Sequence, residues 1–155
     1  MARARKPKFG PELIVVDTRE SLPLGFPGST AKGLPTGDYS IAGMEERVAI
    51  ERKTLSDLFT CVGRERGRFE RELERLAAME RAAVVIEADL DGLCRGVEFS
   101  QVRPGSAINS LLAWWARHGI AFWLAGDRRN GRLSVYNMLR HFWQQRQEES
   151  DGDRG

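Results

Sequence analysis

Three short apolar segments, each followed directly by an acidic residue, constrain the fold of this 155-residue chain more than any other feature. Continuous apolar runs rich in β-branched residues are typical of strands buried inside a sheet. Each such strand carries the acid that follows it to the strand end. The segments are residues 13–16 before Asp17, residues 48–50 before Glu51, and residues 82–86 before Glu87.

Helical patterns lie between and after these strands. Thr54 stands three residues before Asp57, which is the spacing of a capped helix start, and Gly63 and Gly67 interrupt the helix that begins there. An amphipathic helix then runs to about Glu80. Three further elements follow Pro104, namely a helix over residues 105–118, a strand over residues 120–125 and a helix over residues 133–144.

A β-hairpin and two irregular segments account for the rest of the folded chain. Residues 38–42 and 48–51 are predicted to form the hairpin, with a turn at Gly43. Residues 21–37 contain three prolines and four glycines, which predicts a loop against the domain, and residues 89–103 are also predicted to be irregular. Strands and helices that alternate after an early hairpin predict an α/β fold with a mixed central sheet flanked by helices.

The two ends of the chain differ in charge. Residues 147–155 are predicted to be an acidic disordered tail, and residues 1–10 a flexible basic arm. The arm is either a phosphate-binding element or a solvated tail. One folded domain is therefore expected over residues 11–146. The basic residues of the arm are Arg3, Arg5, Lys6 and Lys8.

Composition excludes several classes of protein. The chain is 41% hydrophobic and 30% charged, which is typical of a globular protein. It has no export signal and no apolar stretch near the ~20 residues of a membrane-spanning helix, so a cytoplasmic, intracellular location is expected. Two cysteines, Cys61 and Cys94, are too few for a disulfide framework or a zinc site. The formal net charge of +2 is too balanced to argue for a particular partner.

The residues around the hairpin carry the chemistry. Glu51 and Lys53 point to one face of their strand and Arg52 points to the other, because side chains alternate along a strand. If the hairpin pairs Asp38 near Glu51, two carboxylates and an ammonium converge. Such a cluster is costly to bury unless a cation compensates it, and Mg²⁺ prefers one or two carboxylates together with phosphate and water. The pattern therefore predicts a metal-dependent phosphodiesterase site.

Three motifs in this order resemble a known family. The sequence reads Val15-Val16-Asp17-Thr18-Arg19-Glu20, then Gly37-Asp38-Tyr39, then Ile50-Glu51-Arg52-Lys53 followed three residues later by Asp57. This order of G-D, a gap, and E-R-K-x-x-x-D is similar to the nuclease domain of the XPF-type structure-specific endonucleases. The likeness extends from about residue 13 to residue 144, so residues 11–146 are interpreted as an XPF-type nuclease domain.

The resemblance implies a restriction-endonuclease-like fold and DNA cleavage that depends on Mg²⁺ or Mn²⁺. Asp38 and Glu51 would be metal ligands together with the main-chain carbonyl of Arg52, and Lys53 would place the attacking water. Asp17 would be a further acid of the metal cluster. Supporting roles, in binding phosphate or holding the hydrogen bonds of the site, would fall to Arg19, Glu20, Arg52, Asp57 and Arg68.

Each of these residues also has a purely structural interpretation. Asp38 is a possible turn residue, and Asp57 a possible helix cap. Arg68 either meets a phosphate or forms a surface ion pair, as the charged residues Arg71, Glu72 and Arg75 of the same helix are expected to do. Glu87 is expected to be a solvated strand end. Arg19 and Arg52 either contact substrate or neutralise Glu20 and Asp57.

Aromatic residues in the second half of the chain are expected in the core and on a face for a second subunit. A stacking platform for unpaired bases is the alternative. His118 and His141 are interpreted as structural. The resemblance also implies a homodimer, because the nuclease domains of the family are dimeric, and a separate junction-binding partner is the alternative. The aromatic residues are Trp114, Trp115, Phe122, Trp123, Phe142 and Trp143.

The function predicted from the sequence is that of a metal-dependent DNA endonuclease. Branched or flap structures are candidate substrates, and DNA repair, recombination and the processing of phage or other mobile DNA are candidate settings. Two alternatives remain open. One is a non-catalytic DNA-binding or scaffolding subunit of a nuclease complex, and the other is a nuclease that works only with a separately encoded partner.

Overall fold

The computed structural model describes residues 4–155 and contains a six-stranded mixed sheet. The strand order is β2-β1-β3-β4-β5-β6, in which β3 is antiparallel to both of its neighbours and the other pairs are parallel. The predicted α/β fold with a mixed central sheet is therefore confirmed. The strands are β1 (Ile14–Asp17), β2 (Thr30–Lys32), β3 (Tyr39–Ile41), β4 (Val48–Thr54), β5 (Arg81–Glu87) and β6 (Ala121–Leu124).

Helices cover both faces of the sheet. Four of them lie on one face, where Phe69 and Trp114 are among the largest buried side chains, and α5 covers the other face with Val135 and Leu139. The apolar residues of β4 alternate between these two cores, so that Ala49 belongs to the first and Ile50 to the second. The helices are α1 (Leu55–Val62), α2 (Arg66–Ala77), α3 (Leu90–Arg95), α4 (Pro104–His118) and α5 (Arg128–Gly152).

The structure has two elements where irregular chain is predicted. Strand β2 lies inside the loop over residues 21–37 and pairs with β1, and all three of its residues are exposed. An exposed edge strand needs no alternation of apolar residues, so the sequence contains no pattern that predicts β2. Helix α3 lies inside residues 89–103, where the side chain of Asp89 caps it by accepting a hydrogen bond from Gly92 N at 2.6 Å.

The ends of the chain also differ from expectation. Helix α5 continues to Gly152, so most of the predicted disordered acidic tail over residues 147–155 is helical. Ion pairs of Arg146 with Glu149 and Glu80 support this extension.

The predicted basic arm is described from residue 4 onward and forms no regular element up to residue 10, while Arg3 lies outside the described residues. The ring of Phe9 packs on Tyr136 and Trp143 of α5, which ties the end of the arm to the domain. Cys61 and Cys94 are both free. Among residues 4–155, none of the helices has the length and apolar character needed to cross a membrane.

Candidate active site

The site begins at the turn that places Asp38 beside the middle of β4. Gly37 has φ +78°, and a Cβ at this position would lie 3.0 Å from that of Ala49. The resulting close approach lets Asp38 N donate to Ile50 O at 2.9 Å, and Arg52 N donate to Asp38 Oδ2 at 2.8 Å. Asp38 is thus held against the strand that carries Glu51, as the hairpin predicts.

Glu51 and Lys53 form the second part of the site. Glu51 is only 4% exposed, and its Oε1 forms an ion pair with Lys53 Nζ at 3.0 Å. The Lys53 ammonium also lies 5.3 Å from the centre of the Phe69 ring of α2. It reaches into a cavity of 170 Å³ that lies between β4, α1 and α2 and is lined by Lys53, Cys61, Glu65, Arg68, Phe69 and Glu72.

The electrostatics of this cluster show a deficit of positive charge. Burial raises the pKa of Asp38 to about 6. Burial also raises the pKa of Glu51 well above its usual value, and the charge of Asp38 and a hydrogen bond with the Glu72 carboxyl add to this effect. For Lys53, burial alone would lower the pKa, but the Glu51 carboxylate raises it above the ordinary value, so the ammonium stays charged.

This chemistry fits a divalent cation with few protein ligands. Asp38 and Glu51 provide hard oxygen donors, and their raised pKa values mean that an added cation would relieve their repulsion. No three His, Cys, Asp or Glu side chains within residues 4–155 converge as a ligand group. The donor set therefore suits Mg²⁺ or Mn²⁺, which retain waters and take ligands from a substrate, better than a closed all-protein cage.

Asp17 has a different environment from the one expected of a metal-cluster acid. Its carboxylate accepts hydrogen bonds from Arg19 Nε at 2.8 Å and from Leu34 N at 2.8 Å. Burial would raise the pKa of Asp17, but these hydrogen bonds keep it below its usual value. In this arrangement Asp17 ties the loop that follows β1 to the end of the strand, and Arg19 pairs with Asp17 rather than with Glu20.

Arg52 neutralises two acids on the opposite face of β4. Its guanidinium pairs with Glu87 at the end of β5 and with Glu20 at 3.5 Å, and all three side chains are at most 10% exposed. Arg52 therefore neutralises Glu20, one of the two acids expected for this role, but it does not pair with Asp57, and the expectation that Glu87 is solvated is wrong. The Glu87 partner could not be chosen from the sequence, because the contact joins residues 35 positions apart.

The remaining predicted residues lie at the margin. Asp57 N donates to Thr54 Oγ1 at 3.2 Å, which completes the predicted helix cap, and the Asp57 side chain is exposed. Arg68 is 81% exposed, 3.9 Å from Glu65, and lines the Lys53 cavity. His118 is partly buried at the end of α4, consistent with a structural role.

Glu72 is the residue that sequence reasoning missed. The sequence predicts a solvated helix face for it, whereas the structure places it in the wall of the Lys53 cavity, where its carboxyl contributes to the raised pKa of Glu51. A signal was present, because Glu72 follows Phe69 by three positions and residues so spaced share one face of a helix.

A mixed sheet with these acids and a lysine at one end defines the restriction-endonuclease-like class of fold. Two solved structures of XPF from Aeropyrum pernix share it. The one in complex with DNA has a TM-score of 0.66 at 23% identity, covering 85% of this chain and 64% of its own. The one described without DNA has a TM-score of 0.67 at 23% identity, covering 89% and 68% respectively.

The family model described as the ERCC4 domain matches residues 16–130. The chain belongs to the ERCC4 domain family, and the resemblance to the XPF-type nuclease domain is confirmed. No curated protein matches the sequence significantly.

Proposed function

We propose that this chain is a metal-dependent DNA endonuclease that hydrolyses phosphodiester bonds. The observation that carries the proposal is the convergence of Asp38, Glu51 and Lys53 at one end of the sheet. Membership of the ERCC4 family supports the same conclusion. The similar Aeropyrum pernix protein was solved in complex with DNA, which supports DNA as the substrate. Branched or flap structures are the substrates proposed within that class.

Each residue of the site has a proposed role. Asp38, Glu51 and the Arg52 carbonyl hold Mg²⁺ or Mn²⁺, which when bound supplies Lewis acidity toward the phosphate. Lys53 orients the attacking water and steadies the negative charge that develops on the phosphoryl oxygens. Arg68, exposed at the cavity, contacts a DNA phosphate.

Four acids outside this set have supporting roles in the proposal. Asp17 positions Arg19 and the loop after β1, although the resemblance implies a metal-cluster acid at this position. Glu20, together with Glu87, fixes Arg52 and thereby the backbone that carries the Arg52 carbonyl. Asp57 lies in the first turn of helix α1, where its N–H donates to the Oγ1 of the cap residue Thr54, which directly follows Lys53.

Cleavage assays test the proposal. Labelled duplex, single-stranded, flap and four-way DNA are incubated with wild type, Glu51→Gln, Lys53→Ala and the exposed-lysine control Lys32→Ala, with Mg²⁺, Mn²⁺ or chelator. Glu51→Gln and Lys53→Ala are each expected to lower the rate of DNA cleavage by roughly 10²–10⁴-fold, whereas Lys32→Ala should cleave at the wild-type rate. Metal-independent cutting, or unchanged cutting by Lys53→Ala, would refute the proposed mechanism. DNA binding with no cutting on any substrate would favour the scaffold alternative or a missing partner.

We also propose that the partner at the β6 edge is a second copy of the chain. β6 ends the sheet, and Trp123 is 52% exposed beside Leu133, which is 45% exposed. On the other side of β6, Leu112 and Trp115 are each 58% exposed. Apolar side chains that flank an unpaired strand edge on both sides are typical of an interface.

A further inference from the structure

Glu72 lies in helix α2 with its carboxyl turned toward the proposed active site. It is half-buried and lines the 170 Å³ cavity into which Lys53 extends, and its carboxyl is among the groups that raise the pKa of Glu51. None of the ion pairs among residues 4–155 includes Glu72. An acid that faces a second carboxyl without a cation of its own is unfavourable for stability.

The other acids of α2 have ordinary surroundings. Glu70 lies 3.2 Å from Arg66, four positions earlier, and accepts a hydrogen bond from Trp114 Nε1 at 3.1 Å. Glu74 is exposed. An ion pair four positions away and exposure to water are both ordinary for acidic side chains on a helix surface. The placement of Glu72 therefore has no explanation in the stability of the helix.

We propose that Glu72 is a positioning residue that holds the Lys53 ammonium while Glu51 binds the cation. In the structure, Lys53 is held by Glu51 at 3.0 Å. Once the Glu51 carboxylate shares its charge with a divalent cation, this ion pair weakens and Lys53 needs another counter-charge to stay in place. Glu72 supplies it from the helix wall of the same cavity. This role rests on the proposed function.

Glu65 is the other acid that lines the cavity, and it is less suited to the role. It precedes α2, its side chain is 44% exposed, and it lies 3.9 Å from Arg68. Its charge is therefore screened by water and shared with an arginine. Glu72 is in none of the ion pairs among residues 4–155, so its carboxylate is available to Lys53 when the ion pair with Glu51 weakens.

Chemical labelling of Lys53 tests the role without measuring cleavage. The chain has four lysines, of which Lys32 is exposed and serves as an internal reference. Wild type, Glu72→Gln and the control Glu74→Gln are treated with an amine-acylating reagent, with and without Mg²⁺, and each lysine is quantified by mass spectrometry. In Glu72→Gln, Mg²⁺ is expected to raise the Lys53-to-Lys32 labelling ratio by roughly fivefold, because the freed ammonium leaves its site. An unchanged ratio would overturn the proposal.

Steady-state cleavage separates positioning from binding. Glu72→Gln is expected to lower kcat roughly tenfold or more with KM for DNA changed less than about twofold, and Glu72→Asp to recover part of the loss because it keeps the charge. Equal rates for Glu72→Asp and Glu72→Gln would overturn the proposal in favour of side-chain packing.

Metal affinity distinguishes a positioning residue from a ligand. Calorimetric titration of Mn²⁺ into DNA-free Glu72→Gln is expected to match wild type within roughly threefold, whereas a loss of tenfold or more would make Glu72 a ligand and overturn the role assigned to it. If wild type cuts no DNA, the proposed function itself fails. If wild type cuts DNA and Glu72→Gln matches it in every assay, only this inference fails.

Discussion

At the scale of single residues, the site depends on a backbone that only glycine adopts without strain. Gly37 combines a φ of +78° with a close approach to Ala49, which is fully buried and has no room to yield. Both features position Asp38 for its hydrogen bonds to β4. The G-D pair is thus a geometric unit in which the glycine allows the approach and the aspartate supplies the chemistry.

Replacing Gly37 by alanine tests this geometry. Gly37→Ala is expected to lower the free energy of unfolding by about 2–4 kcal/mol, from left-handed backbone strain together with overpacking against Ala49. Gly43 has a similar φ of +83° but no atom within 4 Å of an added Cβ, so Gly43→Ala should cost only about 1 kcal/mol. Urea denaturation measures both. Equal losses would show that the contact contributes nothing.

The raised pKa of Asp38 predicts a pH dependence of stability. In metal-free protein the folded state holds the Asp38 proton up to about pH 6, whereas the unfolded chain releases it near 3.8, so wild type loses stability as the pH rises between these values. Asp38→Asn should therefore be more stable than wild type by roughly 1–3 kcal/mol at pH 7 in chelator, and the difference should vanish near pH 4. A difference that is constant with pH in thermal denaturation would contradict this.

At the scale of elements, β4 separates two charged clusters by the alternation of its side chains. Glu51 and Lys53 face α1 and α2 and form the candidate site. Arg52 faces the opposite side and joins the ends of β4 and β5 through Glu87. The ion pairs of Arg52 stabilise the end of β4, and the same part of β4 carries Glu51 and Lys53. Stability and the proposed chemistry therefore depend on the same strand.

Removing Arg52 should be far more damaging than removing an exposed arginine. Arg52→Met leaves Glu87 and Glu20 buried without a cation, so we expect a loss of about 3–5 kcal/mol in the free energy of unfolding. Arg47 pairs with Glu80 at the surface, where both side chains are more than 40% exposed, and Arg47→Met should cost about 0–1 kcal/mol. Urea denaturation compares the two variants. Similar losses would mean that the buried cluster is not a stabilising support of the site.

At the scale of the whole molecule, the two edges of the sheet are unlike each other. The β2 edge is short and fully exposed, and it carries Lys32, which pairs with Glu45. The β6 edge is flanked by exposed apolar residues on both sides. Charged, short edges resist pairing, whereas apolar edges favour it. The aromatic residues expected in the core are there in part, since Trp114, Phe142 and Trp143 are at most 9% exposed.

Introduction of carboxylates at the β6 edge tests the proposed second copy. Wild type is expected to elute with a light-scattering mass of twice the 17.5 kDa chain, and Trp123→Glu with Leu133→Glu to elute as a monomer, because a buried unpaired carboxylate opposes association. Phe99→Glu changes a residue that is 96% exposed elsewhere and should leave the mass unchanged. A wild-type monomer at all concentrations would refute the dimer.

Much of the candidate site could be predicted from local rules. The convergence of Asp38, Glu51 and Lys53 follows from a hairpin and from the two-residue period of a strand, both of which involve near neighbours in sequence. The missed features are long-range or lack an apolar pattern. Strand β2 is exposed throughout, and the extension of α5 to Gly152 is polar and stabilised by ion pairs.

The sequence by itself determined the order of the buried strands and of the helices other than α3, the faces of β4, and the three residues proposed for catalysis, because periodicity and turn chemistry act over a few positions. Only the tertiary structure decided the partners of the charged side chains. Arg52 reaches Glu87 and Glu72 reaches Glu51 because packing of strands and helices brings distant segments together. From the sequence alone, a charged residue could pair with many residues of opposite charge. The packing that buries it decides which of them it meets.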